Sequence, residues 1–193
     1  MTFNTLFKSN FSVCVYCGSR DGTNPSYAQA ATDCGMMLAK NGWRLVYGAG
    51  DVGLMGRVAR AAQAGGGDTF GVIPQHLIDS EVGKIDLTTF IVTETMHERK
   101  KVMLMNADVV VVLPGGAGSM DEMFEALTWR QLGLHTKPIF VLNQNNYWNP
   151  LLTLLDQIID QGFADPSLRD FLNIVPDVET LTKDLFKIQG SVA

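Results

Sequence analysis

Residues 108–122 read DVVVVLPGGAGSMDE, and the order of chemistry along them decides the fold. Residues 108–113 read as a strand whose solid apolar run, 109–113, has the pattern of a strand buried on both faces. The glycine-rich turn that follows opens a segment with Met123, Phe124, Leu127, Leu132 and Leu134 as its apolar, helix-spaced positions. Strand, glycine turn, helix: this order gathers backbone N–H groups and the positive end of a helix dipole at one spot, which suits a phosphate. Glycines at 115, 116 and 118 let a ligand approach the backbone where a Cβ would block it. Ser119 is expected to cap the helix, and Ser119-x-x-Glu122 fits a capping box. Three glycines exceed what a cap alone needs.

The same alternation extends to both sides. Residues 12–17 read as a strand ending in Gly18-Ser19-Arg20, and Pro25 opens a helix to about Lys40, closed by Asn41-Gly42. Residues 43–47 are a second strand, and 48–53 a glycine turn. The next helix carries Leu54, Met55, Val58, Ala61 and Ala62 and stops at Gly65-Gly66-Gly67. Strands follow at 69–73 and 87–93, a helix at 96–106, a strand at 137–142 and a helix at 149–162. Within 173–188 a short strand precedes a last helix. Solidly apolar strands alternating with helices predict an α/β fold, a doubly wound Rossmann-like, mostly parallel sheet with helices on both faces. The 193 residues suit one nucleotide-binding domain, 1–193, with 1–11 as a flexible lead-in. Ligands bind such sheets beyond the carboxyl ends of the strands, so the turns at 18, 48–53 and 115–118 should open on one cleft.

Composition narrows the partners. The chain is 46% apolar and 18% charged, with a net charge of −5, which argues against a nucleic-acid or anionic-membrane surface. No apolar run approaches the ~20 residues of a membrane span. The first residues, MTFNTLFKSNF, lack the features of a signal peptide, so a cytoplasmic location is expected. Cys14, Cys17 and Cys34 make no disulfide framework. Cys14 and Cys17 lie three apart in a strand, face opposite ways and read as packing residues rather than a metal or redox pair. His76, His97 and His135 show no ligand spacing, so no metal is expected.

Residues 48–53, GAGDVG, match G-x-G-x-x-G, with Asp68 at the distance of a ribose-binding acid. However, the motif follows the second strand, and Asp68 precedes a strand rather than ending one. It is read as a second ligand-lining turn. Arg99 shares a helix face with Met96 and Met103, so it should point inward, where a guanidinium seeks a phosphate or carboxylate. Lys100 and Lys101 could add phosphate contacts. Glu122, beside the glycine turn and near an inward arginine, is a candidate acid or base. Asp121 and Glu125 read as solvated or structural.

Met96-His97-Glu98-Arg99-Lys100 together with PGGAGSMDE resembles the Lonely Guy (LOG) family of cytokinin-activating phosphoribohydrolases, formerly labelled possible lysine decarboxylases. The likeness runs from about Val13 to the helix near 160. It includes Cys17-Gly18-Ser19, GAGDVGLMG and Leu127-Thr128-Trp129-Arg130-Gln131-Leu132-Gly133. Ser119 stands where the family usually has Thr, and Ala49 where it often has Gly. The resemblance implies hydrolysis of the N-glycosidic bond of a nucleoside 5′-monophosphate, AMP or an N6-substituted form, without cofactor or metal. Arg99 and Glu122 would be catalytic. Gly18, Ser19, Glu81, Lys100, Gly115, Gly116, Ala117, Gly118, Ser119, Met120, Asp121 and Thr128 would bind substrate. A homodimer or higher homo-oligomer is implied as well. A non-catalytic nucleotide-binding module is the alternative. A pyridoxal-dependent decarboxylase would need a marked lysine, and nothing in the chain marks one.

Overall fold

A computed structural model describes residues 11–78 and 83–192. The lead-in at 1–11, apart from Phe11, and Glu81 lie outside the described residues. Seven strands form one sheet in the order β4-β3-β2-β1-β5-β6-β7, and every pair in it is parallel. Along the chain these are β1 (Ser12–Tyr16), β2 (Arg44–Tyr47), β3 (Thr69–Pro74), β4 (Thr89–Thr93), β5 (Val109–Val112), β6 (Ile139–Leu142) and β7 (Leu172–Val175). The α-helices between and after them are α1 (Pro25–Lys40), α2 (Gly53–Ala64), α3 (Met96–Met105), α4 (Ala117–Gln131), α5 (Asn149–Asp160) and α6 (Val178–Val192). This is the doubly wound α/β architecture expected from the alternation.

The apolar runs explain why the sheet needs cover on both sides. Side chains along a strand alternate between its faces. Val13, Val15, Cys17, Val109, Val111 and Leu113 therefore enter one core with α1, α2 and α6. Cys14, Tyr16, Val110 and Val112 enter the other with α3, α4 and α5. Cys14 and Cys17 thus lie on opposite faces, and burial holds both thiols well above their ordinary pKa. Each fully buried aliphatic side chain contributes about 1.5–3 kcal/mol.

Helix ends follow local chemistry. α1 begins with Asn24 accepting the Ser26 N–H at 3.0 Å, with Pro25 in the first turn. α4 ends sooner than its apolar spacing suggested. Gly133 takes a left-handed φ of 72°, and the Leu134 N–H closes on the Trp129 carbonyl at 2.9 Å, a Schellman stop. Leu132 and Leu134 consequently lie beyond the helix as exposed residues, not on its core face. Among the described residues, no helix is long and apolar enough to cross a membrane.

Candidate active site

The strand order reverses between β1 and β5. Chain leaving β1 runs to one side of the sheet and chain leaving β5 to the other, so a crevice opens between them. A cleft of about 610 Å³ lies there. Cys17, Gly18, Ser19 and the loop to Thr23 form its wall after β1; Pro114 to Ser119 and Glu122 form its wall after β5. Leu54 and Met55 of α2 and Met96 and Arg99 of α3 complete the lining.

The β5 wall is built from unspent backbone donors. α4 begins at Ala117 behind Gly116, and the first helical bond is Met120 N–H to Gly116 O at 3.1 Å. The N–H groups of Ala117, Gly118 and Ser119 belong to the first turn, which has no intrahelical acceptor to offer them. Ser119 does not cap this helix. Gly116 is the cap residue and has no side chain to cap with; Ser119 is the third helical residue and is packed beneath Gly115. A Cβ on Gly115 would fall 2.1 Å from the Ser119 Oγ, and Ser119 is 4% exposed. The expected Ser119–Glu122 capping box is therefore not formed, and the helix start stays open. The two walls are tied by the Gly18 N–H, which donates to the Pro114 carbonyl at 3.1 Å.

Arg99 comes from across the cleft. A capping box that does form fixes the start of α3: Thr95 Oγ1 accepts the Glu98 N–H, and Glu98 Oε2 accepts the Thr95 N–H. One turn on, Arg99 is 3% exposed. Its Nη2 donates to the Gly48 carbonyl at 2.7 Å and its Nε to the Val72 carbonyl at 3.2 Å. Gly48, just after β2, and Val72, within β3, thereby hold the guanidinium of Arg99, which lines the cleft. Glu122 is half-buried on the facing helix and lines the same cleft. Its charge adds to burial in raising the Cys17 thiol.

Gly18, Ser19, Arg99, Gly115, Gly116, Ala117, Gly118, Ser119 and Glu122 therefore meet in one cleft. Lys100, Met120, Asp121 and Thr128 are not part of its lining. Lys100 is buried, and its Nζ binds Asp121 at 3.0 Å and Glu125 at 2.8 Å, joining α3 to α4. Burial pulls the Lys100 pKa down, but the hydrogen bonds to Glu125 and Asp121 outweigh it, and the pKa ends above its ordinary value. Met120 packs against the second core, and Thr128 is exposed on α4.

Reasoning from sequence missed two tyrosines and one loop anchor. Tyr27 of α1 and Tyr147, from the connection after β6, line the cleft with rings edge to face at 5.4 Å. Tyr147 also donates its hydroxyl to the Gly115 carbonyl at 2.5 Å. Asp21, in the loop after β1, holds Arg57 of α2 through two hydrogen bonds of 2.7 and 2.8 Å, the cause of its lowered pKa. No motif marks these residues; the paired asparagines 145 and 146 were the available sign of a sharp turn.

Residues 55–185 match the protein family described as "Possible lysine decarboxylase". Across 93% of the chain there is 41% identity to the cytokinin riboside 5′-monophosphate phosphoribohydrolase LOG5 of Arabidopsis thaliana, covering 79% of that protein. LOG7 of the same plant is 41% identical over 92% of the chain and 82% of its own length. The chain belongs to the LOG family. Solved structures extend the likeness in fold alone. The molybdenum cofactor binding protein of Rippkaea orientalis has a TM-score of 0.70 at 21% identity, over 93% of this chain and 97% of that one. A Moco carrier protein of Chlamydomonas matches with a TM-score of 0.70 at 20% identity, over 94% and 98%. This LOG-family chain thus carries its motif residues on a scaffold shared with proteins of other families.

Proposed function

We propose that the protein hydrolyses the N-glycosidic bond of an adenosine 5′-monophosphate, N6-substituted in cytokinin activation, to free base and ribose 5-phosphate. The observation that carries this reading is the meeting of Glu122, Arg99 and an open helix start in one cleft of a LOG-family chain. The N–H groups of Ala117, Gly118 and Ser119 would hold the 5′-phosphate, with Gly18 and Ser19 opposite. Cleavage breaks the bond between C1′ and the base nitrogen. The bonding pair leaves with the base, and the sugar becomes oxocarbenium-like. Glu122 stabilises that positive charge and takes a proton from the water that adds to C1′, while the departing base gains a proton. Arg99, lining the same cleft, would orient Glu122 and the substrate.

Lys100, with Asp121 and Glu125, would set the spacing of the two helices that carry Arg99 and Glu122, and Lys100, Met120, Asp121 and Thr128 would act on substrate only indirectly. The same reading has one domain working as a homodimer or larger homo-oligomer in the cytoplasm. Met105, Leu132 and Leu134, all exposed apolar residues, offer surface for association.

Chromatography of AMP and its N6-isopentenyl form after incubation with the protein tests the activity. Free base is expected from the wild type, with losses of about a hundredfold or more in Glu122→Gln and Arg99→Ala, the scale of a lost charge-stabilising group. Intact nucleotide, with calorimetric binding retained, would replace hydrolysis by a non-catalytic binding module.

A further inference from the structure

The phosphate turn poses an electrostatic problem that its glycines do not solve. A carbonyl oxygen repels an anion that N–H groups attract, so the carbonyls of the turn need donors of their own to keep them from facing it. Pro114 O is held by the Gly18 N–H at 3.1 Å, and Gly116 O by the Met120 N–H at 3.1 Å. Both of those donors are backbone groups. The carbonyl between them, Gly115 O, is held instead by the Tyr147 hydroxyl.

The placement of that hydroxyl is built rather than incidental. The connection after β6 passes through Asn145 and Asn146 at φ 53° and 59°, a left-handed pair that turns the chain back toward the cleft. Asn143 Oδ1 accepts the Trp148 N–H at 2.8 Å, and Asn145 Nδ2 donates to Ser26 Oγ of α1 at 2.5 Å. The Tyr147 ring packs edge to face against Tyr27 at 5.4 Å and Trp148 at 4.8 Å. These contacts place the ring; the hydroxyl's bond to Gly115 then sets the orientation of one peptide in the anion site.

We propose that Tyr147 is a positioning residue for the 5′-phosphate. By holding the Gly115 carbonyl away from the anion, it makes the turn selective for a phosphorylated ligand. This rests on the reading of the cleft as a nucleoside monophosphate site. It differs from a stacking role, in which the ring would contact the base and the hydroxyl would be dispensable.

Tyr147→Phe removes the hydroxyl and keeps the ring, so its packing against Tyr27 and Trp148 is retained. Calorimetry with ribose 5-phosphate and with adenosine is the direct measurement, alongside steady-state kinetics on AMP. Affinity for ribose 5-phosphate should fall about tenfold and KM for AMP rise by a similar factor. Adenosine affinity should stay within about twofold, and kcat should change far less than KM. Equal losses for adenosine and ribose 5-phosphate would overturn the proposal in favour of a general wall, and unchanged ribose 5-phosphate affinity would overturn it outright. A second variant, Tyr27→Leu, removes the ring partner and its own hydroxyl but leaves the Tyr147 hydroxyl on the Gly115 carbonyl, and should leave the ribose 5-phosphate affinity higher than Tyr147→Phe does; the reverse order counts against the Tyr147 hydroxyl. Binding by a wild type that consumes no AMP leaves this test intact and sinks only the hydrolase reading. Failure of the wild type to bind ribose 5-phosphate sinks both.

Discussion

Two glycine turns in this molecule have the same local plan and opposite uses. Residues 48–53 follow β2 and open α2; residues 114–118 follow β5 and open α4. In the first, the missing Cβ atoms make room for protein. A Cβ on Gly48 would fall 2.1 Å from Arg99 Nη2, and one on Gly53 would fall 2.3 Å from the backbone of Ser19 and Arg20. The first donors of α2 are spent too, since the N–H groups of Leu54 and Met55 both reach the Gly18 carbonyl. In the second turn, nothing stands within 4 Å of a Cβ built on Gly116 or Gly118, and α4 begins without a side-chain cap. The literal G-x-G-x-x-G is therefore the packing turn. It holds Arg99 in place and lines none of the cleft itself. A glycine pattern states where Cβ atoms are excluded but not whether protein or ligand excludes them.

The largest effect that can test this contrast is on stability. Gly53→Ala forces a residue at φ 55° into the left-handed region while its methyl meets backbone. Left-handed backbone costs roughly 1–2 kcal/mol and overpacking about 1–3, so a loss near 3 kcal/mol is expected. For a chain of this size that lowers Tm by about 6–12 °C. A melt within a degree or two of the wild type would show that the turn is not the packed element described.

Gly118→Ala should do the reverse. Replacing a helical glycine in open space stabilises by about 0.5–1 kcal/mol. The new methyl stands over the donors of the open turn, however, and affinity for ribose 5-phosphate should fall at least about tenfold, or 1.4 kcal/mol. A protein that melts higher and binds worse is the signature of a ligand glycine. Unimpaired binding would remove the distinction between the turns.

These two cases also mark how far the sequence was legible. Buried parallel strands declare themselves because both faces must be apolar, and α1 could be bounded from Pro25 and Asn41-Gly42 alone. The inward direction of Arg99 followed from its spacing to Met96 and Met103, since helix periodicity is a local property. What could not be read depends on which elements come together. Lys100 looked like a phosphate ligand until α3 packed beside α4 and gave it Asp121 and Glu125. Ser119 looked like a cap because S-x-x-E is a cap pattern in isolation; its burial under Gly115 is set by packing between turns. Tyr147 was invisible because only the fold brings the connection after β6 to the turn after β5.

Ala49 supplies the smallest and finest test. It takes φ 56° in the packing turn, at a position where a glycine would be unstrained, and it is fully buried. Ala49→Gly relieves roughly 1–2 kcal/mol of left-handed strain. Against this, the freer unfolded chain costs about 0.4–1 kcal/mol and the lost buried methyl about 0.8. The opposing contributions nearly cancel, so stability should change by less than about 1 kcal/mol in either direction by denaturant titration. The ligand consequence separates the two turns more sharply. The Ala49 carbonyl accepts the Lys84 N–H at 2.8 Å, and the residue lies outside the cleft lining, so its side chain can influence a ligand only through Gly48 and Arg99. Ribose 5-phosphate affinity should therefore stay within about twofold of the wild type. A methyl exchange would then be silent for binding in one turn and decisive in the other; a large binding change at Ala49 would mean the packing turn reaches the ligand after all.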